Sequence, residues 1–256
     1  MSEKNSRRRL DTLLVERGVI SSRERARALI MGGKVFVDGA KVDKPGKEIV
    51  NSAKLEVVEQ PPFVSRGGIK LAGALDVFRI NPTGLTVLDA GASTGGFTDC
   101  LLQRGATKVV AVDVGYGQFH WKLRNDPRVC LIERTNIRYL DLESFNQYVD
   151  AAVADLSFIS LKLVLAKFAE LLPMGAWFIP LVKPQFEAGR SEVGKQGVIR
   201  DPHVIAKTVE NVKQAAQKSG FVVLNEVESS LRGPKGNREF LLHLVLERKH
   251  KVAVTP

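Results

Sequence analysis

The sequence predicts an α/β chain: a doubly wound, mostly parallel sheet with an antiparallel last strand, preceded by a small α+β module. Three observations carry this. From Leu85 onward, apolar strand-like runs alternate with amphipathic stretches, the pattern of βαβ units. The last two strand-like runs are joined by a short polar loop, which suits an antiparallel pair because a parallel crossover needs a dozen or more residues. Ahead of this lies Glu59-Gln60-Pro61-Pro62-Phe63, whose prolines cannot continue a ladder and favour a stiff, extended connection. The expected organisation is a module at 1–58, a linker at 59–64, a larger domain at 65–250 and a tail at 251–256.

In the module, the spacing predicts a helix over 8–17 with Leu10, Leu13 and Leu14 on one face and Gly18 as its stop. Ser21 and Glu24 have capping-box spacing and predict a second helix, with Ala26, Leu29 and Ile30 inward and Gly32-Gly33 at its end. Val35-Phe36-Val37, the turn pair Asp38-Gly39 and Lys41-Val42 read as a β-hairpin, and 55–58 as a further strand. Arg7, Arg8 and Arg9 precede the first helix, while Arg23, Arg25 and Arg27 crowd the first turns of the second. Arginine forks match phosphate geometry and helix N-termini add N–H donors, against the alternative of a solvated helix face.

In the larger domain, strands are expected at 86–90, 109–114, 129–132, 151–155 and 177–182, then at 221–227 and 240–246. Helices are expected at 68–78, at 161–172, and from Asp201-Pro202, an N-cap with proline in first position, with Val204, Ile205, Thr208, Val209 and Val212 inward. A mostly parallel sheet with an antiparallel last strand resembles the methyltransferase variant of the Rossmann fold.

Composition is that of an ordinary globular chain, 44% hydrophobic and 26% charged, with a net charge of +10 that favours an anionic partner. The most apolar long window, 161–182, is broken by Lys162, Lys167, Glu170, Pro173 and Pro180, so no segment is expected to span a membrane. Arg7–Arg9 lack the apolar core that a signal peptide needs behind its charges. Cys100 and Cys130 make neither a disulfide framework nor a metal site, the four histidines are dispersed, and no metal is expected. A reduced, cytoplasmic location fits best.

Ligands of such sheets sit at the carboxyl ends of the strands. The first strand ends in Asp89-Ala90-Gly91-Ala92-Ser93-Thr94-Gly95-Gly96-Phe97, where glycines let the backbone turn sharply and approach a ligand. Ser93 interrupts the dinucleotide pattern, so no pyrophosphate cradle is indicated, which suits S-adenosylmethionine. Asp113 ends the second strand, placed to accept from ribose hydroxyls. The expected cofactor set is Asp89, Gly91, Ser93, Thr94, Gly95, Gly96, Phe97, Asp113, Asn136 and Asp155. The run from Gly189 to Gln196 approaches a P-loop, but Gln196 replaces the Ser/Thr that would hold Mg²⁺. Its glycines and charges instead predict a mobile loop over 187–200.

Four ionisable residues converge by topology. Asp155 and Lys183 close the fourth and fifth strands, Glu239 begins the antiparallel last strand, and Lys70 lies early in the helix before the first strand. All four are therefore expected at one sheet edge, beside the donor. No Asn/Asp-Pro-Pro-aromatic run of amine methylation is present. Neither cysteine is placed to attack a base carbon. Both absences point to oxygen methylation.

Arg9-Leu10-Asp11-Thr12-Leu13-Leu14-Val15-Glu16-Arg17-Gly18, Ser22-Arg23-Glu24-Arg25-Ala26-Arg27 and Gly33-Lys34-Val35-Phe36-Val37-Asp38-Gly39 resemble the S4 RNA-binding domain. The resemblance implies binding to structured RNA, with Arg7, Arg8, Arg9, Arg23, Arg25, Arg27, Lys34, Lys41 and Arg66 as candidates. The Lys-Asp-Lys-Glu set is similar to that of ribose 2′-O-methyltransferases of the FtsJ type. With Ser65–Leu71, Asp89–Asp99, Asp155-Leu156-Ser157-Phe158, Leu181–Glu187 and Gly233–Glu239, the chain resembles the TlyA family nearly throughout. That resemblance implies 2′-O-methylation of cytidine in ribosomal RNA of the small subunit, the large subunit or both; the competing readings are a membrane-active cytolysin, after the haemolysin label carried by some members, and a non-catalytic RNA-binding protein, which should have lost some of the four ionisable residues. Lys183 would be the base or the group orienting the hydroxyl, with Asp155 holding it, Lys70 positioning the ribose and its phosphate, and Glu239 completing the network.

Overall fold

The computed structural model describes residues 6–58, 62–189, 192–194 and 196–248. The tail expected at 251–256, residues 59–61 of the expected linker, and Arg190, Ser191 and Lys195 of the expected loop lie outside the described residues. The chain forms two compact units, Met1–Pro61 and Pro62–Pro256.

The first unit holds α1 (Leu10–Glu16) and α2 (Arg23–Met31), a ribbon of β1 (Arg7–Arg9) with β4 (Glu48–Val50), and a three-stranded sheet in the order β3 (Ala40–Val42), β2 (Val35–Val37), β5 (Leu55–Val57). Leu10, Leu13 and Leu14 pack with Ala26, Ile30, Val35 and Ile49 in one core. Two expectations are corrected. Arg7–Arg9 do not lead into a helix from Arg8; they pair antiparallel with β4, and the Leu10 and Asp11 amides continue onto the Lys47 and Pro45 carbonyls. These partners satisfy N–H groups that a helix start would leave orphaned. β4 buries only Ile49, too short a signal to read in sequence. The second helix is capped by Ser22, not Ser21: Ser22 is extended and its Oγ accepts from the Arg25 amide at 3.3 Å. The hairpin turn stands as read, with Asp38 and Gly39 both at positive φ.

Asp11 organises the arginines. It is fully buried, and its carboxylate accepts from Arg9 (3.0 and 3.1 Å) and from Arg23 Nε (3.0 Å). Arg8 pairs with Glu16, the Lys41 side chain lies over Gly33, and Lys34 is half-buried. Arg7, Arg25 and Arg27 are exposed. The bond from Arg9, reinforced by Arg23 against the cost of burial, holds the Asp11 carboxyl down at about 2, from a usual 3.8. A depressed carboxyl stabilises above its unfolded pKa, and that stability is lost as pH falls through the folded value. The first unit should therefore lose about 2 kcal/mol between roughly pH 4 and pH 2. Asp11→Ala should remove this acid step, which denaturant melts across that window would measure.

The second unit is a seven-stranded sheet in the order β11 (Phe221–Glu228), β12 (Phe240–Leu246), β10 (Trp177–Val182), β9 (Ala151–Ala154), β6 (Thr86–Ala90), β7 (Lys108–Val112), β8 (Val129–Ile132). Pairings from β10 to β8 are parallel, whereas β12 is antiparallel to both β10 and β11. Alternate residues feed two cores. Leu88, Val110, Phe178 and Val182 pack with α6 (Leu165–Leu171) and α8 (Pro202–Lys218); Val87, Val109, Val153 and Ile179 pack with α3 (Arg66–Phe78) and α4 (Gly96–Gln103). Burial on both faces explains why these strands read as continuous apolar runs. The helix expected over 161–172 is a 3₁₀ turn, Leu161–Leu163, followed by α6, because Val164 leaves helical geometry (φ −122°, ψ −13°). The segment expected as a loop over 187–200 begins instead with a buried residue, Glu187, the end of α7 (Pro184–Glu187). The remaining helix is α5 (Trp121–Arg124).

Candidate active site

Three adjacent strands present an ionisable residue at one edge of the sheet. Asp155 follows β9, Lys183 follows β10, and Glu239 immediately precedes β12. Register makes them neighbours, since Pro180 lies beside Ala154 and Val182 beside Phe240. Lys70 reaches the same edge from α3 and pairs with Glu239. Lys183 Nζ lies 2.5 Å from Asp155 Oδ1 and donates to Ser157 Oγ at 2.9 Å. The four residues thus form two ion pairs. Lys70, Lys183 and Glu239 are buried, whereas the Asp155 side chain is 24% exposed. Gly233 lies so close to Glu239 that a Cβ there would collide with its carboxylate.

Beside Asp155 opens a cavity of about 760 Å³, a size suited to a small-molecule ligand. The loops after β6, β7, β8 and β9 line it, through Gly91, Ser93, Asp113, Asn136, Asp155, Ser157 and neighbouring residues. Gly91 has φ +80°, and a Cβ there would stand 2.6 Å from the Asp155 carbonyl oxygen, so no other residue fits without displacing the β9 end. Asp113 accepts from the Ser93 amide (2.8 Å), the Gly115 amide (2.6 Å) and Gln118 (3.1 Å). These bonds fix the turn to the second strand and orient the carboxylate. Asn136 caps the 3₁₀ turn Ile137–Tyr139 by accepting from the Arg138 amide.

The residues match known proteins over the same ground. The FtsJ-like methyltransferase family model matches residues 63–246, and the S4 domain model matches residues 8–50. The Mycobacterium tuberculosis 16S/23S rRNA (cytidine-2′-O)-methyltransferase TlyA is 49% identical over 240 residues, covering 93% of this chain and 90% of that protein. The chain belongs to the TlyA family. Hemolysin A of Brachyspira hyodysenteriae is 42% identical over 240 residues, covering 93% of this chain and all of that protein. A solved structure from Streptococcus thermophilus, also under a hemolysin designation, superposes with a TM-score of 0.72 at 41% identity, covering 97% of this chain and 91% of the other. The fold is that of S-adenosylmethionine-dependent methyltransferases, with an S4 domain at the N-terminus.

Within this TlyA-family chain the expected cofactor residues divide. Gly91, Ser93, Asp113, Asn136 and Asp155 line the cavity; Asp89, Thr94, Gly95, Gly96 and Phe97 do not. Asp89 is fully buried and accepts from Thr98 Oγ1 at 2.6 Å, while its other oxygen has no partner. Burial pushes its carboxyl up to about 7 against the pull of that bond, and the charges of Asp155 and Asp113 add to the rise. Gly95 (φ +95°) packs against Leu123 and Phe119, Gly96 against Ser65 and the Gly68 amide, and Phe97 is core. The later half of the glycine run therefore serves packing of α4. Thr94 is exposed, its carbonyl receiving the His120 amide. Arg66, expected to meet RNA, donates to the Arg232 carbonyl at 2.6 Å. Ser157 was missed in sequence although it stands two residues beyond Asp155.

Removing one member of a buried ion pair strands the other charge and costs about 3–5 kcal/mol, whereas replacing both by apolar residues is far milder. Glu239→Ala should destabilise the second unit by about that amount. The double variant Lys70→Met/Glu239→Leu should recover most of it, as urea unfolding would measure.

Proposed function

We propose that this chain transfers the methyl group of S-adenosylmethionine to the 2′-hydroxyl of cytidine in ribosomal RNA of both subunits, in the cytoplasm, with the S4 unit gripping the RNA. The observation that carries the reading is the Lys183–Asp155 pair at the rim of a cavity walled by Gly91. The TlyA relative named above is a 16S/23S cytidine-2′-O-methyltransferase. The cavity suits the cofactor: its turn leaves no room for a Cβ at Gly91, a carboxylate stands at the end of the second strand, and Ser93 breaks the pyrophosphate pattern. Gly91, Ser93, Asp113 and Asn136 would hold it. When bound it supplies a methyl group already activated on a sulfonium.

The protein's own task is to align a weak nucleophile and remove one proton. Lys183, directed by Asp155 and Ser157, faces the hydroxyl; once its ammonium has released a proton to solvent, the neutral amine takes the hydroxyl proton as the ribose oxygen accepts the methyl group, and Asp155 steadies the ammonium so re-formed. Lys70, fixed by Glu239, positions the ribose and its phosphate. The hemolysin designation of two relatives finds no counterpart in the helices, since among the described residues none is long and apolar enough to cross a membrane.

Lys183→Ala should remove most turnover while cofactor affinity by calorimetry stays within about threefold, because its role lies in the transition state. Lys183→Arg separates positioning from proton transfer, since guanidinium does not deprotonate. It should be equally inactive, and substantial turnover would reduce Lys183 to an orienting charge. With labelled S-adenosylmethionine and ribosomal subunits, alkaline digestion should leave label in resistant dinucleotides, because only a 2′-O-methyl group blocks attack on the neighbouring phosphate. Label confined to mononucleotides would reject oxygen methylation. No transfer to RNA, with lysis of membranes by pure protein, would favour a cytolysin.

For the S4 unit, Arg23 is tied to Asp11, so its replacement confounds folding with binding. Arg25→Ala/Arg27→Ala should weaken RNA binding and lower the slope of log affinity against log salt by about two, one per phosphate contact. An unchanged slope would return both to a solvated face.

A further inference from the structure

Beyond the four ionisable residues, Glu187 is a buried carboxylate beside them that the reaction described does not use. Glu187 ends α7, the short helix that Lys183 opens, and is 8% exposed. Its carboxylate turns back to the segment after β9: Oε2 accepts from Ser160 Oγ at 2.6 Å and Oε1 from the Leu161 amide at 2.7 Å. Between these bonds and the strand ends, Lys183 meets Asp155 and Ser157, and the Phe158 and Phe186 rings lie 5.1 Å apart. Two segments leaving neighbouring parallel strands are thus joined at both ends of their run. We infer that Glu187 is a positioning residue, a clip that holds the Asp155-to-Leu161 segment against the Lys183 strand end and so keeps the ion pair and the cavity wall in register.

The local chemistry fits a clip better than a mere surface charge. Burial raises the Glu187 carboxyl, and the bonds from Ser160 and Leu161 oppose that rise. Both oxygens of this buried carboxylate are engaged in hydrogen bonds, and among the described residues it forms no ion pair, so its contribution lies in what those bonds hold. Phe158 sits at φ +63°, a conformation costly for an aromatic residue, and Ser160 and Leu161 are the first groups beyond it to be anchored. The clip requires hydrogen bonds rather than charge, so glutamine can serve: its oxygen accepts from the Leu161 amide and its NH₂ donates to Ser160 Oγ.

This inference rests on the ribose-methylation reading for its effect on turnover, and hydrogen exchange tests it without turnover. Full-length wild type, Glu187→Ala, Glu187→Gln and Ser160→Ala are compared with ribosomal subunits as substrate, below the melting temperature of each. Glu187→Ala should lower kcat by about thirtyfold or more with KM for RNA within about threefold, Ser160→Ala should lower kcat by about threefold to tenfold, and Glu187→Gln should stay within about threefold of wild type. In parallel, the Leu161 amide should exchange faster in Glu187→Ala and keep its protection in Glu187→Gln. Equal kcat in Glu187→Ala and wild type, or a glutamine variant as impaired as alanine, would overturn the clip; if alanine does not fold, the glutamine and Ser160→Ala results decide. Absence of transfer by wild type would reject the methylation reading, and unchanged Leu161 exchange in Glu187→Ala would then reject the clip separately.

Discussion

A charge set at the end of an apolar central strand has to be met by an opposite charge, and in this protein that requirement ties four chain segments together. β10 is apolar throughout and ends directly in Lys183. Its neighbour on one side supplies Asp155, and its neighbour on the other side supplies Glu239, which answers Lys70 from α3. Desolvation makes each isolated member costly, so the pairs constrain the strand ends and the helix that faces them. The same requirement leaves two lysines and two carboxylates at one sheet edge, with Asp155 the member that lines the cavity and is still reached by solvent. Structural need and chemical capacity coincide at that edge.

The first unit shows the same physics at a smaller scale. Asp11, buried within the helix pair, holds Arg9 and Arg23 from two directions. These arginines are therefore fixed in place before any RNA arrives. Arg25 and Arg27, on the adjoining turns, are exposed on a helix whose start is set by Ser22. Arginines in one sequence cluster thus divide between holding the unit together and facing outward.

Much of this was legible because it depends on periodicity and topology. Continuous apolar runs at 109–112 and 177–182 declared strands buried on both faces, and a short late connection declared the antiparallel strand, which together bring Asp155, Lys183 and Glu239 to one edge. What was not legible depends on contacts between distant residues. Asp155 was expected to hold Lys183 and does, whereas the pairing of Lys70 with Glu239 follows from the approach of α3 to β12, which no local pattern encodes. The glycine run reads as one ligand-binding turn, yet Gly91 serves the cavity while Gly95 and Gly96 serve packing, a division set by Leu123, Phe119 and Ser65 from elsewhere in the chain. β4 escaped notice because a three-residue strand with one buried side chain leaves almost no periodic trace.

The order of strands also bears on how the molecule comes into being on a ribosome. β12, the last strand in sequence among those described, occupies an interior position between β10 and β11. Lys70 must wait for a partner 169 residues further along the chain. A nascent chain released short of β12 therefore has β10 as an open edge, with unpaired backbone groups and an apolar face able to recruit other strands. Completion of the sheet and assembly of the Lys70–Glu239 pair are one event, reached only once β12 has been made. A product that stops short of Glu239 and β12 leaves Lys70 without its carboxylate and β10 as an open edge, a species prone to aggregation and proteolysis.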